Sequence, residues 1–153
     1  MIKKVASIDI NDAGLVYSKA WQASHRGIVS DDFLALHTPQ RQGTVILQDM
    51  DKGNDIYIYY KDQLPIGILN ISISNNEIVS LYFVPEFWGK GDAQRLLEFG
   101  IQQLNQDNQI FLIVMNLNAR ARRFYEKHGF VFSGEEKLVS TEKGISELRY
   151  IYI

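Results

Sequence analysis

The spacing of apolar and polar residues changes period several times along the chain, and each change marks an element. IKKVASI predicts a short first strand. In NDAGLVYSKAWQASH, Ala13, Val16, Ala20 and Trp21 fall on one face, which predicts a helix capped by Asn11 or Asp12. SDDFLAL predicts a second, short helix with Ser30 as its cap. From Thr38 to Asp55 the pattern is weak, and the stretch ends in DMDKGND, which reads as a turn-rich loop. The period then shortens to two. DIYIYY and IGILNISIS are rich in β-branched and aromatic residues and read as a hairpin through KDQLP. After Asn75-Asn76 comes a strand from Ile78 to Val84 that is apolar on both faces apart from Ser80. Such a strand belongs in the middle of a sheet covered on both sides, and Pro85 ends its ladder.

The clearest helix follows. Ala93, Leu96, Leu97, Gly100, Ile101 and Leu104 form one stripe, with Gln94, Arg95, Glu98, Gln102 and Gln103 opposite. QIFLIVM predicts another buried strand. NARARRFYEKHGF predicts a helix capped by Asn118 and stopped by Gly129. FVFSGEEKLVS and SELRYIYI predict two closing strands joined around Thr141–Gly144. The order βαα-βββ-α-β-α-ββ points to an α/β (α+β) architecture, a mixed sheet with helices on its faces.

With 153 residues the chain has the length of one domain, residues 1–153, able to bury a core without staples. It has no cysteine, which excludes disulfides, thiolate metal ligands and thiol nucleophiles. The three histidines have no metal-ligand spacing, so no metal is assigned. A net charge of −2 argues against a global grip on nucleic acid. No run of apolar residues has signal-peptide or membrane-spanning length, so a cytoplasmic protein without membrane contact is expected.

The segment FVPEFWGKGDAQRLLEFG passes from a strand into a helix through Gly89 and Gly91. Unpaired N–H groups and the positive end of a dipole lie at that helix start. Two glycines and the small Ala93 let a ligand approach the backbone, so the spacing suits a phosphate, with a plain tight turn as the alternative. Lys90 and Arg95 could add charge. The dinucleotide and P-loop fingerprints are both absent, as is the G-x-S-x-G of serine hydrolases.

LYFVPEFWGKGDAQRLL resembles the acyl-CoA site of the GNAT superfamily of N-acetyltransferases, whose motif is Q/R-x-x-G-x-G/A. Trp88 takes the first position, followed by Gly89, Lys90, Gly91, Asp92 and Ala93. NLNARARRFYEKHGF is similar to that family's N-x-x-A-x-x-F-Y-E-K-x-G-F segment, and AWQASHRGIVSDDFL resembles its variable substrate-side helices. The resemblance implies a mostly antiparallel sheet of about seven strands flanked by about four helices. It implies acetyl-CoA as co-substrate and transfer of the acetyl group to a primary amine, on a small molecule or a peptide, by direct attack in a ternary complex. A non-catalytic acyl-CoA-binding module of the same fold is the alternative.

The same resemblance assigns residues. The diphosphate would rest on the amides of Gly89, Lys90, Gly91, Asp92, Ala93 and Gln94. The pantetheine arm would run beside Tyr82, Phe83 and Val84 and meet Asn118, with an oxyanion donor at a backbone N–H near Phe83. Tyr125 would protonate the leaving thiolate; a phenol near pKa 10 keeps its proton at neutral pH while a thiol sits near about 8.5. Glu77 would act as base through water. Arg120, Arg122 and Arg123 form a basic cluster beside the expected cofactor. Trp21, His25 and Phe33 would help form the acceptor pocket. Asp92 departs from the family's usual apolar residue: it would repel a pyrophosphate if it faced one, or point to solvent beside the helix dipole. The C-terminal ELRYIYI offers a strand through which a homodimer could form.

Overall fold

The computed structural model describes residues 1–141 and 143–153. Glu142, in the turn expected around Thr141–Gly144, lies outside the described residues. Twelve elements follow one another: β1 (Ile2–Lys4), α1 (Ile10–His25), α2 (Asp31–Ala35), α3 (Pro39–Asp51), β2 (Asp55–Lys61), β3 (Leu64–Ser72), β4 (Glu77–Phe83), α4 (Asp92–Gln103), β5 (Phe111–Met115), α5 (Ala119–Lys127), β6 (Phe130–Ser140) and β7 (Ile145–Tyr152). They form a seven-stranded sheet in the order β1-β2-β3-β4-β5-β7-β6. Every neighbouring pair is antiparallel except β4 and β5, which run parallel. This is the mixed, mostly antiparallel sheet the sequence suggests, with five helices instead of four. No helix among the described residues is long and apolar enough to cross a membrane.

The hairpin of β2 and β3 turns at Asp62 and Gln63, both at positive φ, the conformation of a two-residue turn whose twist matches its strands. Strand β4 is central, as its two-sided apolar pattern requires. Its register against β3 slips between Asn70 and Ile71: Asn70 faces Ser80, and Ile71 faces Ile78. Val79 is therefore an extra residue, a bulge that bends the strand. The parallel pairing of β4 with β5 is confined to Glu77 with Phe111 and Ile78 with Leu112, immediately before the bulge. Beyond it the two strands part.

Three local expectations need correction. The stretch after Thr38 is helix α3, not loop. Thr38 caps it by accepting from the Arg41 N–H, and Pro39 occupies its first turn. Its buried face is Gln42, Gly43 and Ile46, too polar and too small to register as a hydrophobic stripe. Helix α1 begins at Ile10, ahead of both expected caps; the Asp9 carboxylate accepts from the Ala6 N–H at 2.9 Å and from Lys3 Nζ at 2.7 Å. The ELRYIYI strand is paired on both sides, with β5 and with β6, so it offers no free edge to a second copy.

Helices α1 and α3 pack with backbone nearly in contact. A Cβ built on Gly14 would lie 2.5 Å from the Pro39 carbonyl oxygen and 3.1 Å from the Gly43 nitrogen. Both obstacles are backbone, so a side chain fits only if the helices separate. Gly14→Ala is expected to destabilise the fold by about 1–3 kcal/mol despite the better helix propensity of alanine. Urea unfolding measures this, with the reverse change at an exposed helical position, Ala119→Gly, as a propensity control.

Candidate active site

The site begins where β4 ends. Val84 N–H donates to Ile66 O at 2.9 Å, the last bond between β3 and β4. In an antiparallel ladder the N–H and C=O groups of successive residues point to opposite edges. Phe83 and Leu81 therefore turn their backbone groups away from β3, into the gap left by β5. The indole Nε1–H of Trp88 reaches back into that gap and donates to the Phe83 carbonyl at 2.8 Å. The Phe83 ring is held elsewhere, over the bare Cα of Gly67 and edge-on to Tyr59 at 5.5 Å. Phe83 thus presents backbone to the gap and side chain to the core. Val84 was expected to share this role and does not: its N–H goes to Ile66, its carbonyl accepts from the Phe87 N–H, and its side chain is buried.

A single turn of 3-10 helix, Pro85–Phe87, carries the chain to the glycines. Gly89 and Gly91 have φ of 73° and 91°, a region side-chain-bearing residues avoid. A Cβ added at either would meet nothing within 4 Å, so the glycines border open space. Helix α4 starts at Asp92, and its first backbone bond runs from the Arg95 N–H to Gly91 O. The amides before Arg95 are left for a ligand or water. Lys90 places its ammonium over the Phe87 ring, 5.4 Å from the centroid, at the rim of this loop.

Asp92 neither faces the loop nor points to solvent. Its side chain is buried and accepts from the Tyr59 hydroxyl at 2.8 Å and from Lys61 Nζ at 3.1 Å, both on β2. Burial pushes its pKa up, but Tyr59, Lys61 and the more distant Arg95 outweigh that, and the carboxyl lies below the ordinary carboxylate value. The charge feared next to a pyrophosphate is a strut that ties the start of α4 to the sheet.

The parted strands, the glycine loop and α5 enclose a cavity of about 250 Å³, bordered by Tyr82, Phe83, Gly89, Gly91, Asn118 and Tyr125 among others. Ala93 and Gln94 also border it, and Gln94 spans one helical turn to Glu98. Asn118 caps α5 by accepting from the Ala121 N–H at 3.1 Å. About two turns later Tyr125 is buried, edge-on to Phe124 and Phe130. Burial raises the pKa of its phenol and Arg120 opposes the rise only in part, so the hydroxyl keeps its proton.

The basic cluster divides. Arg122 is structural, bonded to the Tyr150 hydroxyl and the Asn116 carbonyl. Arg120 stacks on the Trp88 ring with its guanidinium carbon 3.5 Å from the centroid. That pair at the cavity mouth was not foreseen, because Trp88 and Arg120 are distant in sequence and only the fold joins them. Glu77 is set apart from the cavity. It sits at the foot of β4 opposite Phe111; burial raises its carboxyl pKa and Arg149 opposes the rise.

On the acceptor side Trp21 is sandwiched between imidazoles, 4.0 Å from His25 and 3.5 Å from His37, with Phe33 tilted against it at 6.1 Å. His25 and its neighbour Ser24 border the cavity; Trp21 stacks on His25, and Phe33 packs against Trp21 and His37. The Trp21–His25 pair could be read from its i, i+4 spacing. His37 and Ser24 carried no such signal. Among the described residues no cluster of His, Asp or Glu has the geometry to hold a metal.

Residues 19–130 match the family model described as "Acetyltransferase (GNAT) family". No curated protein matches the sequence. Among solved structures, the chain is similar to the PaiA N-acetyltransferase of Thermoplasma acidophilum, determined in complex with coenzyme A. The TM-score is 0.76 at 19% identity, over 97% of this chain and 96% of that one. It is also similar to the ribosomal-protein-S18-alanine N-acetyltransferase of Escherichia coli, with a TM-score of 0.73 at 15% identity, over 99% and 92% of the two chains. At these identities the solved structures establish the fold.

The strut at Asp92 makes a pH-dependent contribution. A depressed carboxyl pKa stabilises the fold above the unfolded value of about 3.9, and the contribution fades as pH falls through the folded value. Asp92→Ala is expected to cost about 2 kcal/mol at neutral pH, since it removes charged hydrogen bonds and leaves Tyr59 unpaired. The gap between variant and wild type should narrow below about pH 4. Urea titrations at the two pH values read both quantities.

Proposed function

The chain belongs to the acetyltransferase (GNAT) family and acetyl-CoA is its donor; on that premise we propose that it transfers the acetyl group to a primary amine by direct attack within a ternary complex. The observation that carries this reading is the continuity of the free β4 edge, the glycine-loop amides and the buried Tyr125 hydroxyl around one cavity. The amides from Gly89 to Gln94 suit a diphosphate, because they are unpaired at a helix start and Gly89, Gly91 and Ala93 put no bulky side chain over them. The backbone edge at Leu81 and Phe83 suits an amide-bearing arm lying as a short extra strand. A thioester oxygen brought to that edge would meet the Phe83 N–H, which can stabilise the charge that develops on it.

Tyr125 supplies the proton for the departing sulfur. Its burial keeps the phenol protonated over the whole working range, so the hydroxyl can hydrogen-bond the sulfur as the C–S bond breaks and hand on its proton there. Glu77 stands away from the cavity and reaches this chemistry only through water. The acceptor is a primary amine on a small molecule or a peptide, entering beside Ser24 and His25. With Asp92 tied into the sheet, the motif's departure from the family pattern adds no repulsion at the loop, which removes the main argument for a non-catalytic module.

Acetyl-CoA at a hundredfold excess over its Kd is expected to stabilise the protein by about 2.7 kcal/mol. Gly91→Val should abolish that shift by straining the positive φ and covering the amides. Tyr125→Phe keeps the ring, so it should lower kcat about a hundredfold with little change in KM for acetyl-CoA. Glu77→Gln tests the water-mediated role: an unchanged rate and pH profile removes Glu77 from the mechanism.

A further inference from the structure

The amine that attacks the thioester must lose a proton, and among the described residues no carboxylate borders the cavity. Among the described residues lining it, the side chains able to take a proton near neutral pH are His25 and His128. His128 lies at the end of α5 against Phe124, with Lys127 and Glu98 as its charged neighbours. His25 lies on the acceptor side, 6.0 Å from Tyr82, which in turn neighbours Tyr125.

The imidazole of His25 is fixed in plane and in tautomer. It stacks on Trp21 at 4.0 Å with 14° between the rings, and Trp21 is backed by His37. Its Nδ1 lies 2.9 Å from the Trp21 carbonyl oxygen and 2.8 Å from Ser24 Oγ. The Ser24 hydroxyl donates to the same Trp21 carbonyl at 3.0 Å. A carbonyl can only accept, so the 2.9 Å contact between Nδ1 and the Trp21 carbonyl is a hydrogen bond when Nδ1 carries the ring proton, with Ser24 Oγ as its second acceptor. The lone pair is then on Nε2. Among the described residues no buried side-chain nitrogen or oxygen lacks a partner. Nε2 makes no hydrogen bond to any of the described residues, so it is not sealed off by them, and His25 borders the cavity.

We infer that His25 Nε2 is the group that receives the proton of the attacking amine, paired with Tyr125 as the group that gives one to sulfur. This inference rests on the acetyl-transfer reading above. The amine lone pair forms the N–C bond to the carbonyl carbon, and the nitrogen becomes acidic as it does so. One N–H proton passes to Nε2. The C–S bond breaks with its electron pair on sulfur, and the Tyr125 hydroxyl protonates that sulfur. The imidazolium returns its proton to the phenolate, directly or through water. The nitrogen loses one proton, the sulfur gains one, and both side chains are restored.

The surroundings favour a neutral ring before the reaction. His25 is faced by Tyr82 from β4, His37 from the segment after α2, and Arg120 from α5. Burial lowers its pKa, the Trp21 carbonyl opposes this, and His37 and Arg120 lower it further. The lone pair is therefore free at pH 7.

Two measurements test the assignment. Nitrogen-15 spectra of the imidazoles should show His25 as the Nδ1–H tautomer at pH 7, titrating below the ordinary histidine value of about 6.5. An Nε2–H tautomer, or a doubly protonated ring at pH 7, overturns the inference whether or not an acceptor is in hand. The second is thiol release from acetyl-CoA with glycinamide, phenethylamine and an Ala-Gly-Gly peptide as probes, from about pH 5 to pH 9. His25→Gln should lower kcat at least about tenfold, leave KM for acetyl-CoA nearly unchanged and erase the acid limb of the pH profile. Added imidazole should restore part of the rate to His25→Ala, a response that loss of packing alone does not give. Wild-type kcat and acid limb in His25→Gln overturn the inference while leaving the acetyltransferase reading intact. Failure of the wild type to bind acetyl-CoA in a thermal-shift assay strikes the acetyltransferase reading instead.

Discussion

Strands β4 and β5 run side by side for two residue pairs and then part at the Val79 bulge. A parallel pair buried in mid-sheet ordinarily continues its ladder, because unpaired backbone groups in an interior are costly. Here the ladder stops and the exposed groups line a cavity. Trp88 Nε1–H covers one of them, the Phe83 carbonyl. The rest of the site follows from that opening. Pro85 ends the strand, two glycines turn the chain, and α4 starts with its amides directed at the same space. Helix α5, capped by Asn118, delivers the Tyr125 hydroxyl from the other wall.

The charges around this opening are arranged to suit an anionic cofactor and an uncharged reaction centre. The acidic side chain in the glycine loop is withdrawn into the sheet, where Tyr59 and Lys61 neutralise it. Lys90 and Arg120 rest on the faces of Phe87 and Trp88 at the rim, a placement aromatic rings favour. The other polar groups of the cavity lining include phenols, serines and imidazoles. Burial holds the Tyr125 phenol protonated and the His25 ring neutral. In the proposed mechanism the first gives a proton and the second takes one.

The sequence exposes whatever depends on neighbours along the chain. The α4 stripe, the β2–β3 hairpin, the central character of β4, the caps Ser30 and Asn118 and the glycine turn are all local patterns, and each occurs where its pattern places it. What escaped depends on distant partners. Helix α3 hides because it packs on α1 through Gly43 and its buried face includes the polar Gln42, so it shows no hydrophobic stripe. The direction of Asp92 depends on Tyr59, thirty-three residues earlier, which no local rule weighs. Trp88 meets Arg120, and Trp21 meets His37, for reasons of packing alone. ELRYIYI reads as an edge because it is last in the chain, yet the topology inserts it between β5 and β6.

The central claim is that acetyl-CoA completes the interrupted ladder of β4 and occupies the amides at the start of α4. Residue-resolved amide hydrogen exchange, with and without saturating acetyl-CoA, addresses it directly. The account predicts that Leu81, Phe83 and the amides from Gly89 to Gln94 slow by about tenfold or more, while exchange in β1 and β2 changes little. Protection that appears elsewhere, with those amides exchanging as they do in the free protein, would contradict it.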